Sequence, residues 1–206
     1  MTMSSKPSLL LAALAVLAAS TPSHAADRSG SFVLRGAGSQ VCPAFMTTIN
    51  ARDKAGSTAY LAWFQGYLSA NNRLLPETFD VVPTQGAADF MGVVKAICEK
   101  APQFTVENAA NQAIALLRPL HQAEPSQLIK LSHKGKTAEL RENVLKQLEA
   151  RLIALGHLRA PSGTSARVMA DVHAAIEKFQ RAEKLEPSGL PDLATLLRAQ
   201  AAKPAK

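Results

Sequence analysis

Apolar residues recur at three- and four-residue steps along most of the chain, which is the spacing of one face of an α-helix. In residues 31–117 this spacing predicts four helices, with Ser57 or Thr58 capping the second and Thr105 capping the fourth. The apolar faces of the four helices are Val41, Cys42, Phe45, Met46 and Ile49; Tyr60, Leu61, Phe64, Tyr67 and Leu68; Phe90, Met91, Val94, Ile97 and Cys98; and Val106, Ala109, Ala113, Ile114 and Leu117.

A second helical region follows at residues 138–199, where the pattern predicts three helices. The first has an apolar face that begins at Leu140 and stops at Gly156, and the second covers roughly residues 167–184. The third begins near Asp192, whose side chain can cap it. The fold prediction is therefore all-α, with an N-terminal helical bundle and a C-terminal three-helix module.

Between and after these regions the apolar pattern weakens. Residues 118–137 contain two prolines and a glycine, and they are predicted to be a linker with room for a helical turn. Residues 200–206 have few side chains that could pack, so we expect a disordered tail.

The start of the chain has the three parts of a secretory signal peptide. Lys6 gives a positive start, residues 9–19 are an uncharged apolar run, and Ser23-His24-Ala25 offers a cleavage site. A membrane anchor is the alternative, but the run of 11 residues is shorter than the about 20 that a spanning helix needs. We expect residues 1–25 to be removed near Ala25, leaving a protein of the periplasm without a membrane span.

Two cysteines lie in the predicted mature chain, Cys42 and Cys98. In an oxidising compartment two cysteines usually pair, which here would close a long loop and stabilise the fold by roughly 4 kcal/mol, less any strain. A reactive or metal-binding thiol pair is disfavoured, because neither cysteine has a His or a second Cys at ligand spacing. The N-terminal bundle is thus predicted to be closed by a Cys42–Cys98 disulfide.

Charge is unevenly distributed between the two regions. Residues 26–117 hold seven basic and seven acidic residues, whereas residues 118–206 hold fifteen basic and nine acidic ones. The basic half could favour an anionic partner, and outside the cytoplasm this means wall polymer or a membrane surface before nucleic acid. A solvated helical surface is the alternative explanation.

The second region also carries a long, ordered motif. In sequence order it consists of Leu148, Leu152, Leu155-Gly156-His157-Leu158, Ala175-Ile176-Glu177-Lys178-Phe179-Gln180, Leu185, Gly189-Leu190-Pro191-Asp192 and Thr195-Leu196. With these residues the segment resembles the bacterial peptidoglycan-binding domain, a three-helix module appended to many wall hydrolases. The resemblance covers about residues 141–199.

This resemblance implies a muropeptide site near the loops. Its residues would be His157, Gly189, Asp192 and Thr195, with Arg159 and Arg167 holding peptide carboxylates in their guanidinium forks. The family carries two copies of a Gly-x-x-Asp-x-x-Thr element. The second copy is intact, but the first falls on Ala166, Met169 and Val172. The alternative is therefore a module that packs but no longer binds glycan.

The first region has a looser pattern of glycines, aromatics and cysteines. It comprises Gly36-Ala37-Gly38, Val41-Cys42, Trp63, Gly66-Tyr67-Leu68-Ser69, Asn71, Cys98 and Pro102. It is similar to the Rap/Tai-type immunity proteins of type VI secretion and, distantly, to the Hde acid-stress chaperones. Trp63, Tyr67 and Asn71 form a speculative partner-binding face, and a place in the core is the alternative; Gly66 is expected to let a neighbouring helix approach.

Catalytic motifs are missing from the sequence. The five histidines form no HxxxH or HExxH motif, and no GxSxG or SxxK motif occurs, so we predict no catalytic residues, metal site or cofactor. The functional hypothesis is an exported, non-catalytic cell-envelope protein that binds peptidoglycan through its C-terminal domain and a toxin or envelope protein through its bundle. The alternatives are an immunity or stress-protection protein, and a wall hydrolase or its accessory.

Overall fold

The computed structural model describes residues 27, 30–84, 86–160 and 168–204. The predicted signal peptide, Ala166 and Arg167 lie outside the described residues. Residues 1–33 form one unit, whose described part contains a turn closed by the Gly30 N–H and the Asp27 carbonyl (3.0 Å). Residues 34–206 form a second compact unit, to which all of the following features belong.

Helices dominate the described part of this unit, as the apolar pattern predicts. They are α1 (Cys42–Asn50), α2 (Lys54–Leu74), α3 (Ala87–Lys100), α4 (Val106–Leu117), α5 (Glu142–Ala154), α6 (Met169–Ala182) and α7 (Leu193–Ala201), with short 3-10 helices at Gly36–Ser39 and Arg118–Leu120. Among the described residues, no helix is both long and apolar enough to cross a bilayer.

The caps of α2 and α4 show where local sequence decides a helix start. Thr105 caps α4 as predicted, because its hydroxyl oxygen accepts a hydrogen bond from the Asn108 N–H at 3.1 Å. The predicted cap of α2 is wrong. Asp53 caps the helix instead, accepting from the Ala55 N–H at 3.0 Å, while the Thr58 hydroxyl bonds back to the Lys54 carbonyl.

The N-terminal bundle, α1 to α4, has an aromatic core next to its disulfide. Cys42 and Cys98 are bonded as predicted, which ties the start of α1 to the end of α3. The fully buried ring of Phe64 packs edge-on against Phe45 and Phe90, with centroid distances of 6.1 and 5.6 Å. Non-directional burial and one covalent bond therefore hold the four helices together.

Part of the segment predicted as a linker forms a β-hairpin that the sequence analysis missed. Strands β1 (Leu128–His133) and β2 (Lys136–Arg141) pair in antiparallel fashion. The turn residues Lys134 and Gly135 both have positive φ angles (49° and 75°), which is the requirement of a type I′ turn. The predicted start of α5 at Leu140 is also wrong, because Leu140 is buried as part of β2.

The hairpin connects the bundle to the C-terminal module. Thr84 makes an isolated β-bridge with Leu140, and the Arg141 guanidinium forms an ion pair with Asp80 at 3.2 Å. The same guanidinium lies over the Phe79 ring, 4.7 Å from its centroid. The end of β2 therefore packs against the bundle, so the hairpin contacts the region that it connects to the C-terminal module.

At the other end of the module, α7 reaches into the tail that was expected to be disordered. Gln200 and Ala201 are helical, and the Arg151 guanidinium donates hydrogen bonds to the carbonyls of Ala199 (3.1 Å) and Ala202 (2.7 Å). These two bonds satisfy carbonyls at the end of α7 that lack partners within the helix.

Candidate functional site

The loop before α7 is built around a buried glutamine. Gln180 on α6 has no exposed surface; its carbonyl oxygen accepts from the Gly189 N–H at 2.8 Å, and its amide nitrogen donates to the Leu190 carbonyl at 2.9 Å. The same nitrogen donates to the hydroxyl of Thr195, which is also fully buried, at 2.9 Å. Gly189 and Thr195 therefore serve to shape this loop from inside.

Asp192 completes the loop as the cap of α7. Its carboxylate accepts a hydrogen bond from the Thr195 N–H at 2.7 Å, which satisfies one of the free donors at the helix start. The cap predicted from the sequence is present. The intact Gly-x-x-Asp-x-x-Thr element thus has a clear structural task in its own helix and loop.

The tip of the hairpin packs against this loop. The His133 ring stacks on the His173 ring at a centroid distance of 4.5 Å, and His173 Nδ1 lies 2.8 Å from the Gly189 carbonyl oxygen. A Cβ atom at Gly189 would lie 2.8 Å from His133 Cδ2, and the φ of Gly189 is 69°. Both observations require glycine here, and they show that the hairpin covers part of the loop.

Charged side chains hold the hairpin tip on α6 and on the loop after it. Lys134 pairs with Glu177 at 2.9 Å, and Lys136 pairs with Glu186. Glu177 also binds Arg181 at 2.5 Å, and the two cationic partners hold the pKa of Glu177 below its usual range. Two basic residues of the hairpin are therefore already neutralised by the module itself.

His157 and Arg159 line a different surface, an open groove of about 270 Å³ beside α6. The remaining groove residues are Leu158, Asp171, Ala174, Ala175 and Lys178. The groove carries two cationic side chains against one carboxylate, so its field favours an anionic ligand group.

The histidine of this groove is held neutral at pH 7. Burial lowers the pKa of His157, and the nearby charge of Lys178 lowers it further. Its ring meets Phe179 edge to face at 5.4 Å, and within the described residues its buried Nδ1 has no hydrogen-bond partner. Such a ring adds a neutral polar surface to the groove.

The six predicted site residues therefore separate into groups. His157 and Arg159 share the groove, whereas Gly189, Asp192 and Thr195 build the loop, and Arg167 lies outside the described residues. Sequence reasoning missed the groove roles of Asp171 and Lys178. Their seven-residue separation on α6 places both on one helical face, which is the signal that could have indicated them.

The proposed partner face of the bundle has its own intramolecular contacts. Trp63 and Tyr67 stack at a centroid distance of 4.9 Å, and the Trp63 indole N–H donates to the Arg35 carbonyl at 3.0 Å. The Tyr67 hydroxyl bonds to Glu107 at 3.2 Å, and burial raises the pKa of Tyr67. The Asn71 amide donates to the Tyr67 carbonyl at 2.9 Å.

Gly38 rather than Gly66 is the glycine that a neighbouring aromatic ring approaches closely, and the expectation for Gly66 is wrong. A Cβ atom at Gly66 would have no neighbour within 4 Å, whereas one at Gly38 would lie 2.0 Å from the Trp63 ring. Trp63 therefore packs on the 3-10 helix that contains Gly38. All three residues of the proposed face also stabilise the bundle.

Within residues 27, 30–84, 86–160 and 168–204, no three His, Cys, Asp or Glu side chains converge as metal ligands.

Comparison with known families identifies the C-terminal region. Residues 141–198 match the model of a family described as a putative peptidoglycan binding domain. No curated protein and no solved structure matches the chain. The matched segment includes both the groove and the Gly189 loop, so the predicted peptidoglycan-binding-like module is confirmed. Together with the disulfide, this match indicates a protein that works outside the cytoplasm.

Proposed function

We propose that this chain, whose residues 141–198 form a peptidoglycan-binding-like module, is an exported, non-catalytic protein of the periplasm that binds the cell wall. The observation that carries the proposal is the groove of His157, Arg159 and Lys178 within the segment that matches the family. Export rests on the predicted signal peptide.

The groove offers charges that suit the stem peptides of peptidoglycan. Arg159 and Lys178 line the groove, and in this proposal they pair with peptide carboxylates; a guanidinium can do so through two parallel hydrogen bonds. Asp171 can pair with a free amino group of the same peptide. The neutral His157 ring adds a polar surface without further positive charge.

The Gly189 loop acts indirectly in this proposal. The buried Gln180 and Thr195 side chains fix the loop, and Asp192 fixes the start of α7, so the helices on which the groove is built stay in place. In this proposal Gly189, Asp192 and Thr195 maintain the structure of the module, and the groove residues contact the ligand directly.

The bundle is proposed to meet a protein partner, either a toxin or another envelope protein. Trp63, Tyr67 and Asn71 remain half-buried, so part of each side chain is accessible beside its internal contacts. An immunity or stress-protection role is the second candidate. It rests on the resemblance of the bundle sequence to Rap/Tai-type immunity proteins and, distantly, to the Hde chaperones. A role as hydrolase or hydrolase accessory is the third, and it ranks below the others because the sequence carries no catalytic motif beside the matched binding module.

Sedimentation with purified sacculi tests the wall-binding proposal. The full chain is compared with Arg159→Ala/Lys178→Ala and with a control that loses the same charge on α3, Lys95→Ala/Lys100→Ala. Because each lost charge-assisted hydrogen bond costs about 1.5–3 kcal/mol, we expect the groove variant to bind at least about tenfold more weakly and the control to bind normally. Sacculi stripped of their stem peptides should retain less of the protein than intact sacculi do.

Two results would overturn parts of this proposal. If the unaltered protein stays in the supernatant, the wall-binding function fails and the immunity or stress-protection role takes its place. If soluble muropeptides appear in the same tubes, the non-catalytic assignment fails instead.

A further inference from the structure

We propose that a cavity between the bundle and the hairpin binds a secondary amide that carries a methyl group. In peptidoglycan this chemistry occurs in the acetamido group of an N-acetylated sugar and in the alanyl units of a stem peptide. The inference rests on the proposed wall-binding function and adds a second, separate subsite to it. The cavity has a volume of about 210 Å³ and lies outside the groove of His157.

One wall of the cavity is formed by the start of α3. The helix begins at Ala87, and its cap residue Gly86 has no side chain, so the N–H groups of the first turn have no side-chain cap; the Asp89 N–H bonds to the Gly86 carbonyl at 3.2 Å. These donors and the helix dipole favour an acceptor atom at this position. A carbonyl oxygen of the ligand would satisfy them.

An independent observation at the same place is the hydroxyl group of Thr84. The residue lines the cavity and is only 8% exposed, and its hydroxyl oxygen has no hydrogen-bond partner among the described residues. A buried hydroxyl without a hydrogen-bond partner is destabilising, so a polar group of this kind is expected to meet a ligand or a water molecule. The hydroxyl can accept from the N–H of an amide.

The charges around the cavity favour a neutral ligand over a carboxylate. Arg141 donates to Asp80 through Nε (3.3 Å) and Nη2 (3.2 Å) and to the Ser126 carbonyl through Nη1 (3.0 Å), so its charge is already compensated. The other oxygen of Asp80 accepts from the Val82 N–H at 3.2 Å. A ligand carboxylate would meet the Asp80 carboxylate, whereas an amide brings one donor and one acceptor without charge.

The remaining wall is apolar. Leu68, Val82 and Leu128 line it, and Leu128 is part of β1 while the other two belong to the bundle. A methyl group placed against these side chains would lose its contact with water, which stabilises the complex by the hydrophobic effect. The apolar wall suits a methyl group, the start of α3 suits a carbonyl oxygen, and the Thr84 hydroxyl suits an N–H. A secondary amide that carries a methyl group has all three.

Titration of the full chain with soluble fragments tests this assignment, with NMR following the amides of α3 and the side chain of Arg141. The probes are N-acetylglucosamine oligomers, the same oligomers without acetyl groups, and a neutral alanyl peptide amide. We expect acetylated oligomers or the alanyl amide to shift the first turn of α3, and the deacetylated oligomers to bind at least about tenfold more weakly. The probe that binds identifies the source of the amide.

Thr84→Val removes the hydroxyl and keeps the shape, and Thr137→Val on exposed β2 is the matched control. We expect only Thr84→Val to weaken probe binding, by about fivefold or more. Absence of shifts at α3 with both the acetylated oligomers and the alanyl amide overturns the cavity proposal, even if sacculi still retain the protein. Shifts at α3 in a protein that sacculi do not retain would uphold the cavity and overturn the wall-binding function.

Discussion

The bundle and the C-terminal module use different interactions to reach a similar helical packing. The bundle relies on the Cys42–Cys98 bond and on the rings of Phe45, Phe64 and Phe90, whereas the module has a mainly aliphatic core that includes the buried Phe179, and a buried glutamine that bonds to a loop. Hydrophobic burial and a disulfide fix which helices touch, but directional hydrogen bonds fix the shape of one loop. The module therefore uses buried polar groups to fix the loop before α7.

Removing the central ring of the bundle should have the largest effect. Phe64→Ala deletes a fully buried side chain that contacts two other phenylalanines, so we expect a loss of about 3–5 kcal/mol in the free energy of unfolding. Urea denaturation measures it. Leu116→Ala, at an exposed position of α4, should change stability by no more than about 0.5 kcal/mol. If both substitutions lowered the free energy of unfolding equally, Phe64 would not be a central core residue.

Removing the disulfide should have the second-largest effect, and the loss of stability should be confined mainly to the bundle. Cys42→Ala/Cys98→Ala opens a loop with a sequence separation of 56, for which chain entropy gives a loss of up to about 4 kcal/mol. Hydrogen exchange should show the greater loss of protection in α1 and α3. An equal loss in α5 and α6 would break the comparison, because it would show that both regions open as one cooperative unit.

Replacing the buried glutamine should weaken the module by a smaller amount. Gln180→Met keeps the volume but leaves the Gly189 N–H and the Thr195 hydroxyl without their partner, at a cost of about 1–3 kcal/mol. The same change at Gln147, an exposed position of α5, is the control. If thermal unfolding places both variants at the same midpoint, the network does not stabilise the loop.

The smallest effect should be a dependence on pH that both regions share. Burial lowers the pKa of His157 in the module and of His121 near the bundle, so each binds protons more readily when the chain is unfolded. Their contribution to stability is therefore present above pH 6.5 and is lost as the pH falls. His157→Gln and His121→Gln should each flatten the decline in unfolding free energy between pH 7 and 5. A steeper decline in either variant would contradict the lowered pKa of the histidine that it replaces.

Sequence patterns predicted those parts of the fold that depend on local spacing. The helical faces, the Thr105 and Asp192 caps and the cysteine pair all follow from residue types at short or simple separations. The hairpin was missed because its Lys134-Gly135 turn lacks the usual Asn-Gly or Asp-Gly signal. Its strands also bury few side chains, chiefly Leu131 and Leu140, so alternation along them is weak.

The site was predictable only in part, because motif residues and groove residues are not the same set. The family motif pointed to Gly189 and Thr195, which the structure places inside the loop network. The groove joins the segment after α5 to one face of α6, and this contact depends on how the helices pack. Lys178 enters the site only through that packing, which a one-dimensional pattern does not report.

The most direct test of this account measures two quantities on two variants of the full chain. Arg159→Ala/Lys178→Ala should lose affinity for sacculi by at least about tenfold and keep its unfolding free energy. Thr195→Val should lose about 1–3 kcal/mol of stability, because the Gln180 amide loses an acceptor, and should bind sacculi normally while folded. The reverse result, with weakened binding in folded Thr195→Val and normal binding in the groove variant, would contradict the account.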